Sequence, residues 1–332
     1  MKIKEVRMKL AILGLGRMGA NMAKRLLQGG HEVVVFNRSF EKAQELAEFG
    51  AIPARTVDEV LENLPSPKIV WLMLPAGKTT DEHIVELSGK LSKGDIIVEG
   101  GNSYYKDDIA RAEKLAEKGI HYIDAGVSGG VWGLQVGYCT MYGGEKAIFD
   151  YLEPIAKTLA PENGYLYCGE TGGGHFTKMI HNGIEYAMMQ SYGEGFELLK
   201  ASKYGQNLNL EEVAKMWNNG SVIRSWLLEL LENAFSKDAN LDEITGYVED
   251  SGEARWTVKE AVDHGVAVDT ITTALYKRFN SRQKDVFANK VNAALRNEFG
   301  GHAVVKKGED RRSSEIGAGE VVAASADKSR KY

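Results

Sequence analysis

Residues 8–13 form a short apolar run that leads straight into Gly14, Gly16 and Gly19, and a helical pattern follows to Leu27, with a stop at Gly29 and Gly30 and a second apolar run over residues 31–36. Strand, glycine turn, helix and strand at this spacing make a βαβ unit carrying G-x-G-x-x-G at its first turn. An isolated glycine pattern is only a turn, but these flanking elements predict a dinucleotide site. The glycines let the backbone approach a pyrophosphate, and the helix N-terminus faces its charge. Arg17 and Met18, between the second and third glycines, join the expected cofactor set.

The end of the second strand selects the cofactor. A carboxylate there binds the ribose 2′-hydroxyl of NAD, whereas this chain has Asn37, Arg38 and Ser39, with a guanidinium suited to a 2′-phosphate. NADP is therefore the expected cofactor, with NAD left open.

Strand and helix patterns keep alternating: helix near 40–48, strand 69–74, helix 79–91, strand 95–99, helix 107–118 and strand 121–124. This order implies an α/β chain that begins with a mainly parallel, doubly wound, Rossmann-type sheet. Leu74, Pro75 and residues 100–103 then fall in loops at the carboxyl edge of the strands, where ligands bind. Asn102 is placed for a hydroxyl or nicotinamide contact, although its segment also makes an ordinary turn. Residues 126–144 hold seven glycines around Ser128, Gly129 and Gly130. Such a segment is either an anion-binding loop of backbone N–H groups or a hairpin with bends.

After the glycine cluster at 172–174, Lys178, His181, Asn182 and Glu185 recur at helical spacing and project from one side. Phe176, Met179, Ile180 and Ala187 are expected to form the buried stripe. A salt-bridged surface face is the plain reading of Lys and Glu at this spacing. The intervening His and Asn argue against it, as does Gly183, which costs about 1 kcal/mol relative to Ala in mid-helix and implies a close neighbour. Further helices are expected over 177–202, 210–218, 223–235, 258–264 and 268–296, making an all-α second domain. Trp217, Trp226 and Trp256 read as core or interface residues.

With 332 residues, 43% of them hydrophobic, the chain is long enough for two domains, and its net charge of −5 argues against a general nucleic-acid binder while leaving room for a local basic pocket. Neither Cys139 nor Cys168 has a Cys or His partner at metal-ligand spacing, so no metal site is expected. Both read as buried thiols in a reducing compartment. No run approaches the roughly 20 apolar residues of a membrane span, and the first residues lack the apolar core of a signal peptide. A cytoplasmic protein follows. The expected divisions are 1–173 for the cofactor domain, 174–305 for a helical substrate and oligomerisation domain, and 306–332 for a charged tail. The tail reads as mobile, with a basic contact to cofactor or neighbouring chain as the alternative.

Taken together, the glycine turn with Met18, the Phe36–Asn37–Arg38–Ser39 segment, residues 94–103, residues 127–130 and above all residues 174–186 resemble the 6-phosphogluconate dehydrogenases, decarboxylating members of the β-hydroxyacid dehydrogenase group. Lys178 combined with His181, Asn182, Glu185 and Tyr186 resembles that branch in particular. The resemblance implies oxidation and decarboxylation of a phosphorylated sugar acid in the pentose phosphate pathway, with Lys178 as general base and Glu185 as general acid. It implies substrate contacts from Asn102, Ser128, Gly129, Gly130, His181 and Asn182, and phosphate contacts from Tyr186 and Arg278. Residues 296–302 resemble a motif whose Arg296 and His302 reach a neighbouring subunit's site, implying a homodimer or homotetramer. One departure stands out: the family's phosphate-binding lysine falls at Ser251 here, and Arg255 is the nearby cation that would have to compensate. A dehydrogenase of a non-phosphorylated β-hydroxyacid, such as 3-hydroxyisobutyrate, is the alternative.

Overall fold

The computed structural model describes residues 6–306, which fall into two units divided between Phe279 and Asn280. The first unit begins with β1 (Lys9–Leu13), α1 (Arg17–Gln28), β2 (Glu32–Phe36), α2 (Phe40–Ala47), β3 (Ile52–Ala54), α3 (Val57–Glu62), β4 (Ile69–Leu72), α4 (Lys78–Ser88), β5 (Ile96–Glu99) and α5 (Tyr105–Ala116). It continues with β6 (His121–Ser128), α6 (Gly133–Val136), β7 (Cys139–Gly144), α7 (Lys146–Leu159) and β8 (Tyr165–Gly169).

These strands form one sheet in the order β3-β2-β1-β4-β5-β6-β7-β8, parallel throughout except where β7 runs against β6. Near-continuous apolar runs in the central strands β1, β2, β4 and β5 explain why it is covered on both sides. Leu10, Ile12, Val33, Val35, Trp71 and Val98 pack with Met22, Leu26 and Leu152 of α1 and α7. On the other face Leu13, Val34, Val70 and Ile97 pack with Val60, Ile84 and Leu115 of α3, α4 and α5.

The long helix α8 (Gly173–Ala201) leaves the sheet and is followed by α9 (Leu210–Asn218), α10 (Trp226–Lys237), α11 (Glu253–Asp263) and α12 (Asp269–Ser281). Phe196, Ala214, Leu228 and Phe235 make a small core for α8, α9 and α10. Trp217 packs edge-on against Phe196, and Trp256 stacks on Tyr104. The second unit carries α13 (Phe287–Gly300). Among the described residues no helix is long and apolar enough to cross a membrane.

Of the two readings of the glycine-rich 126–144 segment, the hairpin is found: it supplies the end of β6 and all of β7, antiparallel and joined through a short helical turn. Other expectations are corrected. A helix beginning at 223 starts instead at Trp226, because Ser225 caps it by accepting from Leu228 N. The single helix expected over 268–296 is two, with Asp285 at φ 53° in the break. Cys139, the first residue of β7, is exposed, and Cys168 is half-buried on the edge strand β8. The expected tail is described only at Lys306, so the rest of it lies outside the described residues.

Candidate active site

The strand order reverses between β1 and β4, and a cleft of about 1620 Å³ opens at their carboxyl ends. Gly14 has φ 98°, and a Cβ there would lie 2.4 Å from Met73 O, so only glycine fits. A Cβ on Gly19 would meet Gly14 O at 2.0 Å, which lets α1 start directly against the turn. Gly16 faces open space, and no side chain caps α1. A bare helix N-terminus beside an open glycine fits a pyrophosphate.

Asn37 Oδ1 accepts from Leu15 N at 3.0 Å, so this side chain braces the glycine turn. Arg38 and Ser39 line the same cleft, as do Met18, Leu74 and Pro75. Arg17 is exposed and does not line it. Lys42, one helical turn beyond Arg38, adds a second cation that sequence reading missed.

Asn102, Ser128, Gly129, Gly130, Lys178, His181, Asn182 and Glu185 all come to the other end of this cleft. Glycines make the convergence possible. A Cβ on Gly174 would lie 2.4 Å from Met141 O, so α8 begins in contact with the backbone of β7. Asp124 holds that start, accepting from Gly172 N at 2.7 Å and from His175 N at 2.9 Å.

On α8 the polar array proves to be partly the inner face: Lys178, Met179, Asn182, Gly183 and Tyr186 are buried, whereas Phe176, Ile180 and Ala187 are half-exposed. The expected apolar stripe is thus corrected in all but Met179, because β6, β7 and α11 cover the polar side. The close neighbour of Gly183 is Thr257, whose Cγ2 would stand 3.0 Å from an added Cβ.

Lys178 is only 6% exposed, and its Nζ donates to Asn182 Oδ1 at 2.5 Å. Burial lowers its pKa from the ordinary lysine value, against the opposing charges of Glu185 and Glu253. His181 Nδ1 lies 2.9 Å from Asn182 Oδ1 and 3.9 Å from Glu185 Oε2, and its Nε2 lies 3.3 Å from Ser128 Oγ. A buried, amine-bearing side chain is thereby surrounded by groups able to bind a polyhydroxylated acid.

Tyr186 and Arg278 stand behind this array. The guanidinium of Arg278 stacks 3.4 Å from the centre of the Tyr186 ring, and its Nη1 donates to Glu249 O. Tyr186 OH accepts from Ser251 N at 3.0 Å. Arg255 is held in a two-pronged pair with Asp250, at 2.6 and 3.0 Å, and is committed there. Arg296 and His302 belong to the second unit, where both are exposed.

Sequence reading missed two further residues. Glu253, the first residue of α11, accepts from Asn102 Nδ2 and from Asn182 Nδ2. Its only signal was a carboxylate two residues beyond Ser251. His175 is fully enclosed, with Nδ1 2.7 Å from Asp108 Oδ2 and Nε2 2.9 Å from Gly101 O. Burial alone would lower its pKa, but Asp108, Glu99 and Asp124 outweigh burial and push it up to about 10. Glu99, Asp108 and His175 offer ligand atoms within 4.8 Å of one another. Both ring nitrogens already donate to oxygen, which leaves no lone pair for an ion.

Two family models account for the chain: the NAD binding domain of 6-phosphogluconate dehydrogenase over residues 9–169 and the 6-phosphogluconate dehydrogenase C-terminal domain over residues 174–316. A Bacillus subtilis protein, whose name assigns it provisionally to the 6-phosphogluconate dehydrogenases, is 48% identical over 90% of this chain and all of its own. The NAD(+)-dependent, decarboxylating 6-phosphogluconate dehydrogenase of Haloferax volcanii is 43% identical over 90% of this chain and 99% of its own. Among solved structures, the Plasmodium falciparum 6-phosphogluconate dehydrogenase, studied apo, with NADP+ and with 6-phosphogluconate, superposes with a TM-score of 0.75 at 29% identity, covering 91% of this chain and 67% of that one. With both halves matched to the same family and relatives of that name aligned end to end, the chain belongs to the 6-phosphogluconate dehydrogenases, oxidoreductases built on a nicotinamide-cofactor domain.

Proposed function

We propose that the protein oxidises 6-phosphogluconate at C3 and releases C1 as CO₂, giving ribulose 5-phosphate and reducing NADP. The observation that carries this reading is the buried Lys178, whose lowered pKa favours the neutral amine a general base needs. Gly14, Gly16 and Gly19 would hold the cofactor pyrophosphate, Arg38 and Lys42 its 2′-phosphate, and Asn102 the nicotinamide end. When bound, the nicotinamide would supply the hydride acceptor that oxidation at C3 requires.

Lys178 Nζ takes the C3 hydroxyl proton as that hydride departs. The resulting ammonium then polarises the C3 ketone and stabilises the enediolate formed when the C1–C2 bond breaks and CO₂ leaves. Glu185, two turns along α8, delivers a proton to C1. Ser128, Gly129, Gly130, His181 and Asn182 orient the hydroxyls and carboxylate, and Tyr186 and Arg278 take the phosphate. On the resemblance alone, Arg296 and His302 are assigned to the site of a neighbouring subunit in a homodimer or homotetramer.

A second reading is a dehydrogenase of a non-phosphorylated β-hydroxyacid. It is favoured by Ser251 at the lysine position and by the pairing of Arg255 with Asp250. Purified protein is mixed with 6-phosphogluconate and NADP or NAD, with cofactor reduction and CO₂ followed together. Stoichiometric CO₂ supports the first reading; oxidation of 3-hydroxyisobutyrate but not of 6-phosphogluconate replaces it with the second.

A further inference from the structure

Glu253 is 1% exposed, and three donors face it. Asn182 Nδ2 reaches Oε1 at 2.5 Å, Asn102 Nδ2 reaches the same oxygen, and Ser251 Oγ donates to Oε2. The carboxylate also begins α11, where the helix dipole favours negative charge.

A carboxylate accepts and does not donate, whereas an asparagine amide has one donating and one accepting end. Pinning Asn182 Nδ2 on Glu253 therefore turns Oδ1 the other way. There it accepts from Lys178 Nζ at 2.5 Å and faces His181 Nδ1 at 2.9 Å. Lys178 Nζ also lies 3.5 Å from Nδ1, but its donation goes to the nearer Oδ1, and because Oδ1 carries no proton the shorter 2.9 Å contact is completed by a proton on His181 Nδ1. Its Nε2 is then the acceptor for Ser128 Oγ at 3.3 Å. A neutral imidazole left to itself favours the opposite tautomer, so this state is imposed by its surroundings.

We propose that Glu253 is a positioning residue: it fixes the amide orientations of Asn102 and Asn182 and, through Asn182, the Nδ1–H tautomer of His181 and the acceptor that faces Lys178. The kinetic part of its test rests on the reaction proposed above, while the tautomer part rests on geometry alone.

The full-length protein is labelled with ¹⁵N, and the ring nitrogens of His181, identified by their loss in His181→Gln, are read by long-range ¹H–¹⁵N correlation. Wild type should show the Nδ1–H tautomer. Glu253→Gln should keep that tautomer and a kcat close to wild type, because the amide oxygen replaces Oε1 and the NH₂ donates to Ser251. Glu253→Ala should release both asparagines, shift His181 toward Nε2–H and lower kcat by about 100-fold, the cost of a catalytic group misplaced by an ångström. Retention of Nδ1–H and of kcat in Glu253→Ala would overturn the proposal, as would loss of both in Glu253→Gln. Should Glu253→Ala lack a cooperative melt, Glu253→Leu, which fills the same space without an acceptor, is read in its place and judged by the same two outcomes. A wild type that shows Nδ1–H but does not oxidise 6-phosphogluconate sinks the reaction proposed above, and the tautomers of the variants still decide the role of Glu253.

Discussion

A Cβ built on Gly126 would lie 2.4 Å from the Cβ of Lys178. Strand β6 runs directly beneath the lysine, and its missing side chain is what lets α8 settle there. Gly126→Ala must push the helix away or distort the strand, an overpacking cost of about 1–3 kcal/mol. We expect a lower urea midpoint together with a fall in kcat larger than any change in the affinity for NADP. A variant with wild-type kcat and midpoint would show that the contact is not needed.

Lys178→Met tests the base. Loss of a general base costs about 10²- to 10⁴-fold in rate, and we expect that loss in kcat with cofactor affinity kept. Replacing a buried amine by an apolar side chain of similar length should also raise the melting temperature by about 2–4 °C. In the wild type, burial lowers the lysine pKa, so the neutral form persists to lower pH than in a free lysine. The acid limb of kcat/KM should accordingly fall below the ordinary lysine value of 10.5. Removing the charge of Glu253 with Glu253→Gln takes away a group that favours the ammonium and should move that limb to lower pH still.

The first βαβ unit was legible because its signals are local: apolar runs bracket Gly14, Gly16 and Gly19, and a Cβ on Gly19 would strike Gly14 O in the same turn. Strand β3 was not, being three residues long with Pro53 inside it. Strand β7 was hidden because its glycines read as bends until Asp124 pairs with Gly143 across the sheet. The cluster on α8 lines one cleft, as its helical spacing led us to expect, but its buried side was not legible, since the sequence of one helix does not say that β6 and α11 lie against its polar positions. Glu253 was missed for the same reason: its partners Asn102 and Asn182 are 151 and 71 residues away.

Arg38 and Lys42 share one wall of the cleft, so cofactor choice should depend on both. A charge-assisted hydrogen bond contributes about 1.5–3 kcal/mol, and Arg38→Ala should therefore lower kcat/KM for NADP by about 10- to 100-fold. The value for NAD should change little, which makes the ratio of the two the useful measurement. If that ratio stays put in Arg38→Ala and in Lys42→Ala, cofactor choice does not reside on this wall.

The last prediction concerns His175, whose imidazolium sits among Asp108, Glu99 and Asp124 and donates to Gly101 O beside Asn102. Its folded pKa of about 10 stands above the free value of 6.5, so the folded state binds this proton more tightly than the unfolded chain does. The stabilisation is complete below the free value and is lost as pH rises through about 10. His175→Gln removes one of the two cations beside buried Asp108 and leaves Arg111, whose Nη1 lies 3.3 Å from Oδ1, a loss of about 3 kcal/mol where the wild-type ring is charged. We expect the difference in urea stability between wild type and His175→Gln to be largest below the free value of 6.5 and to shrink as pH rises from there towards about 10. A difference that does not change with pH would mean a neutral ring, held by hydrogen bonds alone, with the proton shared on the Asp108 side.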